Sequence, residues 1–338
     1  MQQILLVGGP IGTPEHITVG RLMKKFILYG LLIAVVGFVG FIGYTFYREQ
    51  RADFGWEPNL ASPTYTATQP RIVIDQAHYN ASTASALGRY APFAKLLRAD
   101  GYSVEKGKDK FAAASLSGVE VEVIVNASGA DRLQILGFNI PVGGEGDRGT
   151  PAFTAEEIKA LTDWVAQGGS LLLVSDHAPY GRASEALAAA FGVKFYKGFC
   201  EVPNETSDPL VFSTANGRLA DHPILHAATM SETIHTVHTF TGQSMTAPDS
   251  ATILLHLPDS AVEYLPEPGQ TEGELKPHPA GNAQGVAFNW GKGRVVILGE
   301  AAMLTAQVYD LKPFGMNSDD NDNKQFALNV LHWLSRKI

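Results

Sequence analysis

Cysteine occurs once in the 338 residues, at Cys200. A single thiol excludes an internal disulfide framework and a zinc site of the Cys-x-x-Cys type. Cys200 also lacks the Gly-x-Cys-x-Gly surroundings that hold a nucleophilic thiol on a strained strand-to-helix turn, so it reads as an inert, partly buried side chain. The Gly-x-Ser-x-Gly elbow of the familiar serine hydrolases is missing as well. Long runs of one charge are absent: 26 Lys and Arg face 34 Asp and Glu, a net charge of −8 dispersed along the chain. Without clustered basic side chains there is no surface to neutralise a phosphate backbone, which argues against nucleic acid as a partner. No internal repeat is visible, and a hydrophobic content of 45 % suits a chain with a sizeable core.

One long apolar run is present. Residues 26–46, FILYGLLIAVVGFVGFIGYTF, carry no charge, and at about 1.5 Å per residue a helix of this length spans the ~30 Å hydrocarbon layer. Arg21, Lys24 and Lys25 precede it, Arg48 and Arg51 follow it, and Tyr44, Phe46 and Tyr47 sit where an interfacial aromatic belt lies. The run is longer than the apolar part of a cleavable signal, and no Ala-x-Ala-like site follows. The reading is a single-pass signal anchor in the inner membrane: a short cytoplasmic tail over 1–25, a transmembrane helix over 26–47, and the bulk of the chain extracytoplasmic. Near the start, ILLVGGPIG mimics a strand and phosphate loop, but no βαβ unit fits before the membrane span. Met23 looks like a natural start, which makes residues 1–22 an over-extension.

Residues 48–70, rich in Pro, Ser, Thr and Ala, read as a linker that lifts the domain at 71–338 off the bilayer. In that domain RIVID (71–75) is a strand, 84–99 has helical spacing, 102–105 and 121–127 are strands, and 128–153 is a long Gly-rich loop. Thr154 and Glu157 form a capping box, and Gly168-Gly169 stops the helix. A strand over 170–176, a helix over 183–192, strands over 251–257, 284–290 and 294–300, and an amphipathic helix over 323–334 complete the pattern. The last two strands, joined by Gly291-Lys292-Gly293, read as a hairpin. The fold class is therefore α/β: a mostly parallel, doubly wound sheet with an added antiparallel hairpin, preceded by one transmembrane helix. Such sheets bind ligands beyond the carboxyl ends of their strands.

Three strands end in polar side chains: Asp75-Gln76-Ala77-His78, Asp176-His177 and Gly299-Glu300. Gathered at one edge, these groups suit a divalent metal, with Asp75, His78, His177 and Glu300 as candidate ligands, or an acid–base pair that activates water. Each also has a plainer role, since Asp caps helices and fixes turns, and His commonly bonds such an Asp. The pairs His222/His226 and His235/His238 read as loop and strand residues, because Pro223 breaks a helix and the second pair lies in an extended run. NSDDNDN (317–323) lacks the glycine and closing glutamate of an EF-hand and reads as a polar loop, with Asp322 or Asn323 capping the last helix.

The segments RIVIDQAHYN, FTAEEIKALTDWVAQGGSLLLVSDHAPYG, ADHPIL, TFTGQS, GKGRVVILGEAAMLTAQ and NDNKQFALNVLHWL span most of 71–336. In them the chain resembles bacterial membrane-anchored proteins whose outer domain has a class I glutamine amidotransferase-like, flavodoxin-like fold. Where that fold places its nucleophilic cysteine, this sequence has Ser175-Asp176-His177, so the resemblance implies an extracytoplasmic module without glutamine hydrolysis. It also points to transport or surface assemblies as membrane partners. The first expectation is a domain that binds a small polar ligand, peptide or glycan with Asp75, His78 and Gln307 among its ligand-binding residues. The second is a metal-assisted or acid–base hydrolase in which His177 or Glu300 activates water and Asp176 orients the imidazole. The third is a partner-docking module.

Overall fold

The computed structural model describes residues 15–86, 88–129, 132–135, 138–141, 150–206, 209–226, 232–265 and 274–338. The chain forms two compact units, Met1–Glu49 and Gln50–Ile338. In the first, helix α1 runs Glu15–Arg48, and its stretch Met23–Phe41 is long and apolar enough to cross a membrane. The helix starts upstream of the expected segment and carries helical backbone through residues 15–25. The strand-and-loop mimic at 4–12 lies outside the described residues.

The second unit is a mixed α/β body. Its main sheet contains β1 (Arg71–Asp75), β2 (Ser103–Gly107), β3 (Val121–Val125), β4 (Ser170–Val174), β5 (Lys194–Phe195), β6 (Met245–Thr246), β7 (Thr252–His256), β8 (Ala283–Trp290) and β9 (Gly293–Leu298). The order is β2-β1-β3-β4-β9-β8-β6-β5, with β7 also on β8. From β2 to β9 every pairing is parallel. From β9 onward every pairing is antiparallel. The antiparallel share is thus larger than one added hairpin, because among the described residues the segments joining β5 to β9 contain strands rather than the helices that a parallel crossover requires.

Four helices pack on this sheet, and alternation along the strands sorts the side chains between two cores. Val121, Val123 and Val125 of β3, with Leu172 and Val174 of β4, join Phe93 and Leu97 of α2 (Ala91–Ala99) and Phe326 and Leu331 of α5 (Asn323–Leu334). Ile124, Leu171 and Leu173 join Leu161 and Val165 of α3 (Ala155–Gln167) and Leu187 of α4 (Tyr180–Ala190). Strands buried on both faces need continuous apolar sequence, as in SLLLV. Each fully buried Leu, Ile, Val or Phe contributes on the order of 1.5–3 kcal/mol.

Helix α2 starts later than its periodicity suggests. Pro92 occupies its first turn, where the missing amide is harmless. Residues upstream fold back instead: a Cβ on Gly88 would stand 2.1 Å from the Thr83 carbonyl oxygen. Helix α3 has the expected capping box at Thr154 and ends at Gly168, whose φ is 129°. At α5 the expected capping fails: Asp322 makes no side-chain cap and accepts the His235 and Thr236 amides instead. Within 48–70, Arg51–Ala52 pairs with strand Ala306–Tyr309, and Trp56, Leu60 and Tyr65 pack on the core.

Candidate functional site

Because β1, β3, β4 and β9 run parallel and in register, Asp75, Asn126, Asp176 and Glu300 emerge at one edge. The five acids and imidazoles singled out from the sequence nevertheless separate into distinct groups there. β3 lies between β1 and β4, so Asp75 and Asp176 belong to strands that are not neighbours.

The first group is closed. The His78 Nδ1 lies 3.0 and 2.9 Å from the two carboxylate oxygens of Asp75, and its Nε2 lies 2.9 Å from Glu157 Oε1. With a carboxylate at each ring nitrogen, the imidazole bridges the two acids. His78 is fully buried, stacked on Phe111 at 4.7 Å and against Phe153 at 4.6 Å. Glu157 also accepts the Thr154 amide through Oε2. Burial pushes its carboxyl up, but the Thr154 amide, His78 and Lys110 together outweigh this and hold it below the ordinary range. Every polar atom of the His78 ring is engaged, so this group is a tie between β1 and the start of α3.

The second group is less enclosed. Asp176 and His177 are half-buried at the end of β4. The Asp176 amide donates to Asn126 Oδ1 at 2.9 Å, and Asp176 Oδ1 accepts the His177 amide at 2.9 Å. Asn126 adopts φ 46° and donates its Nδ2 to Ser82, which fixes the turn from beneath. The His177 ring does not meet Asp176. Its Nδ1 donates to the Ala178 carbonyl at 2.8 Å, and the ring stacks on Phe199 at 4.6 Å. A carbonyl can only accept, so Nδ1 donates this bond, and Nε2 has no hydrogen-bond partner among the described residues. Gln243 clamps the elbow from the far side: its Nε2 donates to the carbonyls of Ser175 at 2.8 Å and Asp176 at 3.1 Å. That clamp needs glycine at 181, where a Cβ would approach Gln243 Oε1 to 2.4 Å. The Ser175 hydroxyl, buried in the elbow, has no hydrogen-bond partner among the described residues. Burial pushes the Asp176 carboxyl up against the pull of His177 and Arg89.

Glu300 is fully buried at the end of β9. Its Oε1 and Oε2 accept the amides of Ala302 and Met303 at 2.6 and 2.7 Å. Burial, then the Asp176 charge, raises its carboxyl well above the ordinary range. Tyr90, fully buried, donates to the Ala301 carbonyl at 2.7 Å and locks this turn to the start of α2. Glu300 therefore caps a short helical turn and does not present a base. Gln307 belongs to a separate three-stranded sheet, where its amide meets Thr305 and Gln50. The four candidate metal ligands do not converge, and among the described residues no three His, Cys, Asp or Glu side chains are grouped to hold an ion.

Other polar groups take structural roles. Cys200 is buried, and burial pushes its thiol up, with Glu263 and Glu201 adding to the effect. Glu263, also buried, accepts the Gly198 amide at 2.7 Å and the Ser244 amide at 2.9 Å; burial raises it to about 7. His222 packs edge-on against Trp333, and His238 lies on a strand paired to Leu210–Ser213. The sequence signal for Glu157 was its capping-box position. Asn126 and Gln243 carried no signal, since their roles depend on contacts 44 to 68 residues away.

No family model and no curated protein matches the sequence. Among solved structures, the mmIFT52 N-terminal domain is similar with a TM-score of 0.53 at 16 % identity, over 78 % of this chain and 97 % of that domain. A ThuA-like protein from Bacteroides uniformis reaches a TM-score of 0.43 at 14 % identity, over 80 % of this chain and 94 % of its own. A GMP synthase subunit homologue from Thermoplasma acidophilum reaches 0.42 at 10 % identity, over 80 % and 96 %. At such identities the likeness is one of fold.

Proposed function

We propose that the chain is a membrane-tethered α/β domain that binds a small polar ligand, a peptide or glycan, at the Asp176–His177 turn. One observation carries this reading: of the acids and imidazoles at the sheet edge, His177 alone combines partial exposure with a ring nitrogen unengaged among the described residues. The adjacent carboxylate, the exposed Arg89 whose charge acts on it, and the Phe199 ring under the imidazole supply acceptors, a cation and an apolar floor. Hydroxyls and amides are the groups such a surface satisfies. A hydrolase is the weaker reading, because Ala178 rather than Asp176 orients the imidazole and Glu300 is engaged by two amides.

Two further elements belong to the proposal. The fold is of the doubly wound, amidotransferase-like kind without its nucleophile, supported by a parallel half-sheet with helices in both cores and by Ser175-Asp176-His177 at the elbow. The α1 helix anchors the chain as a single inner-membrane span with the domain extracytoplasmic, supported by the apolar stretch Met23–Phe41 and the Lys24-Lys25 pair before its apolar core.

Equilibrium titration of the full chain in detergent against a panel of short neutral oligosaccharides and tripeptides tests the reading. A saturable ligand is expected, with His177→Ala and Asp176→Asn each weakening it about tenfold or more, ~1.4 kcal/mol. Absence of saturable binding across the panel, or binding indifferent to both substitutions, contradicts it.

A further inference from the structure

The hairpin formed by Ala306–Tyr309 and Lys312–Gly315 carries an exposed apolar tip. Tyr309 and Leu311 are each 55 % exposed, more than any other large apolar side chain described in the second unit. Asp310 and Leu311 make the connection, and both lie in the left-handed region, at φ 47° and 66°. Hairpin turns of this kind favour asparagine and glycine, because a bulky side chain is penalised there. Leu311 is exposed and packs into neither core, so neither backbone preference nor burial within the domain accounts for it.

Register sets where this tip lies along the chain's path. Arg51–Ala52 pairs antiparallel with Ala306–Tyr309, Arg51 opposite Val308 and Ala52 opposite Gln307. Going back from Ala52 toward α1 and forward from Gln307 toward Tyr309 therefore leads to the same end of the pair. Hydrogen bonds hold the arrangement: Gln50 Nε2 donates to Gln307 Oε1 at 3.1 Å, and the Asp53 amide donates to the Ala306 carbonyl at 2.9 Å. Asn317 Nδ2 donates to Asp53 Oδ2 at 3.0 Å and to the Gln307 carbonyl at 2.8 Å. The apolar stretch of α1 ends at Phe41 and the helix itself at Arg48. Helical rise from there to Arg48 and extended chain to Arg51 keep Arg51 within ~20 Å of the end of that stretch. The tether thus leaves the tip within reach of a bilayer surface.

We infer that the hairpin tip is a second membrane contact, with Tyr309 and Leu311 entering the headgroup boundary of the bilayer that α1 spans. This rests on the membrane reading of α1 and stands apart from the site at His177. Tyrosine suits that layer because its ring is apolar and its hydroxyl polar, leucine adds apolar area, and the exposed Lys312 extends its ammonium toward phosphates. The Asp310 carboxylate between them restricts insertion to this shallow level.

Fluorescence quenching on the full chain in phospholipid nanodiscs tests it, with a nitrobenzoxadiazole probe on single introduced thiols. Cys200 is buried, and labelling of the unsubstituted chain gives the background. Val35→Cys, in the apolar stretch, reports the span, Leu311→Cys reports the tip, and Ala186→Cys, exposed on α4, is the reference. Lipid nitroxides near the headgroup should quench the Leu311→Cys probe by about half or more, as for a group ~5–10 Å into the surface layer, and spare the Ala186→Cys probe. A probe at Lys312→Cys should be quenched likewise, and Tyr309→Ser with Leu311→Ser should abolish that quenching, which separates the hairpin's own side chains from the pull of the dye. If Val35→Cys escapes nitroxides placed deep in the acyl chains, the membrane reading of α1 fails and this inference with it. If Val35→Cys is quenched while Leu311→Cys is quenched no more than Ala186→Cys, the hairpin inference alone is overturned. Shielding of the tip from aqueous iodide without lipid quenching means that a second copy or another protein covers it, and overturns the inference as well.

Discussion

Replacing His78 by alanine lowers the stability of the folded chain by about 3–5 kcal/mol, the usual cost of breaking a buried ion pair from one side. The reason is in the geometry: without the ring, Asp75 and Glu157 are left buried with their shared hydrogen-bond partner gone, and the slot between Phe111 and Phe153 is emptied. At roughly 2–4 °C per kcal/mol for a domain of this size, the thermal midpoint falls by roughly 6–20 °C. Asp75→Asn with Glu157→Gln in the His78→Ala background recovers part of the loss, because the uncompensated charge is removed while the void remains. Thermal unfolding followed by circular dichroism measures both. A drop below about 1 kcal/mol for His78→Ala would mean that the tie contributes nothing.

The second large effect is a pH dependence set by Glu263. Its carboxyl titrates near 7 in the folded chain against an ordinary 4.5, because burial penalises the charged form. A raised carboxyl means that between these values the folded state holds a proton that the unfolded state has released. The stabilising contribution is complete below about 4.5 and is lost as pH rises through about 7. At ~1.4 kcal/mol per pH unit the loss amounts to about 3 kcal/mol. Other groups titrate in the same window, so the readout is a difference: urea unfolding of the native chain and of Glu263→Gln between pH 4.5 and 8. The native chain should lose about 3 kcal/mol relative to the variant as pH rises. Parallel curves would show that Glu263 titrates normally.

Much of the body was legible from local chemistry. The strands RIVID, VEVIV and SLLLV announce themselves because burial on both faces demands continuous apolar sequence, and Thr154 with Glu157 marks a helix start through its own hydrogen bonds. The start of α2 was harder, since the apolar spacing runs upstream of Pro92 while the backbone folds into turns. The edge that carries the site could be inferred, but not its division. Asp75 and Asp176 are set apart by the insertion of β3 between their strands, a fact of topology that residue spacing does not encode. Whether an imidazole is sealed or open is likewise decided by distant partners: Phe111, Phe153 and Glu157 close His78, whereas His177, stacked on Phe199, keeps one ring nitrogen without a hydrogen-bond partner among the described residues. A charge inside an apolar strand is a readable signal of its own, in VEVIV for Glu122 and VEYL for Glu263.

The central claim is that His177 is partly exposed, with a ring nitrogen unengaged among the described residues, while His78 is sealed. Brief treatment of the folded full chain with diethyl pyrocarbonate, followed by peptide mass mapping, tests it directly, because acylation needs an accessible, unprotonated ring nitrogen. The account predicts rapid modification of His177 and protection of His78 until the chain is unfolded. Modification of His78 at a rate comparable to His177, or protection of His177 in the folded chain, would contradict it.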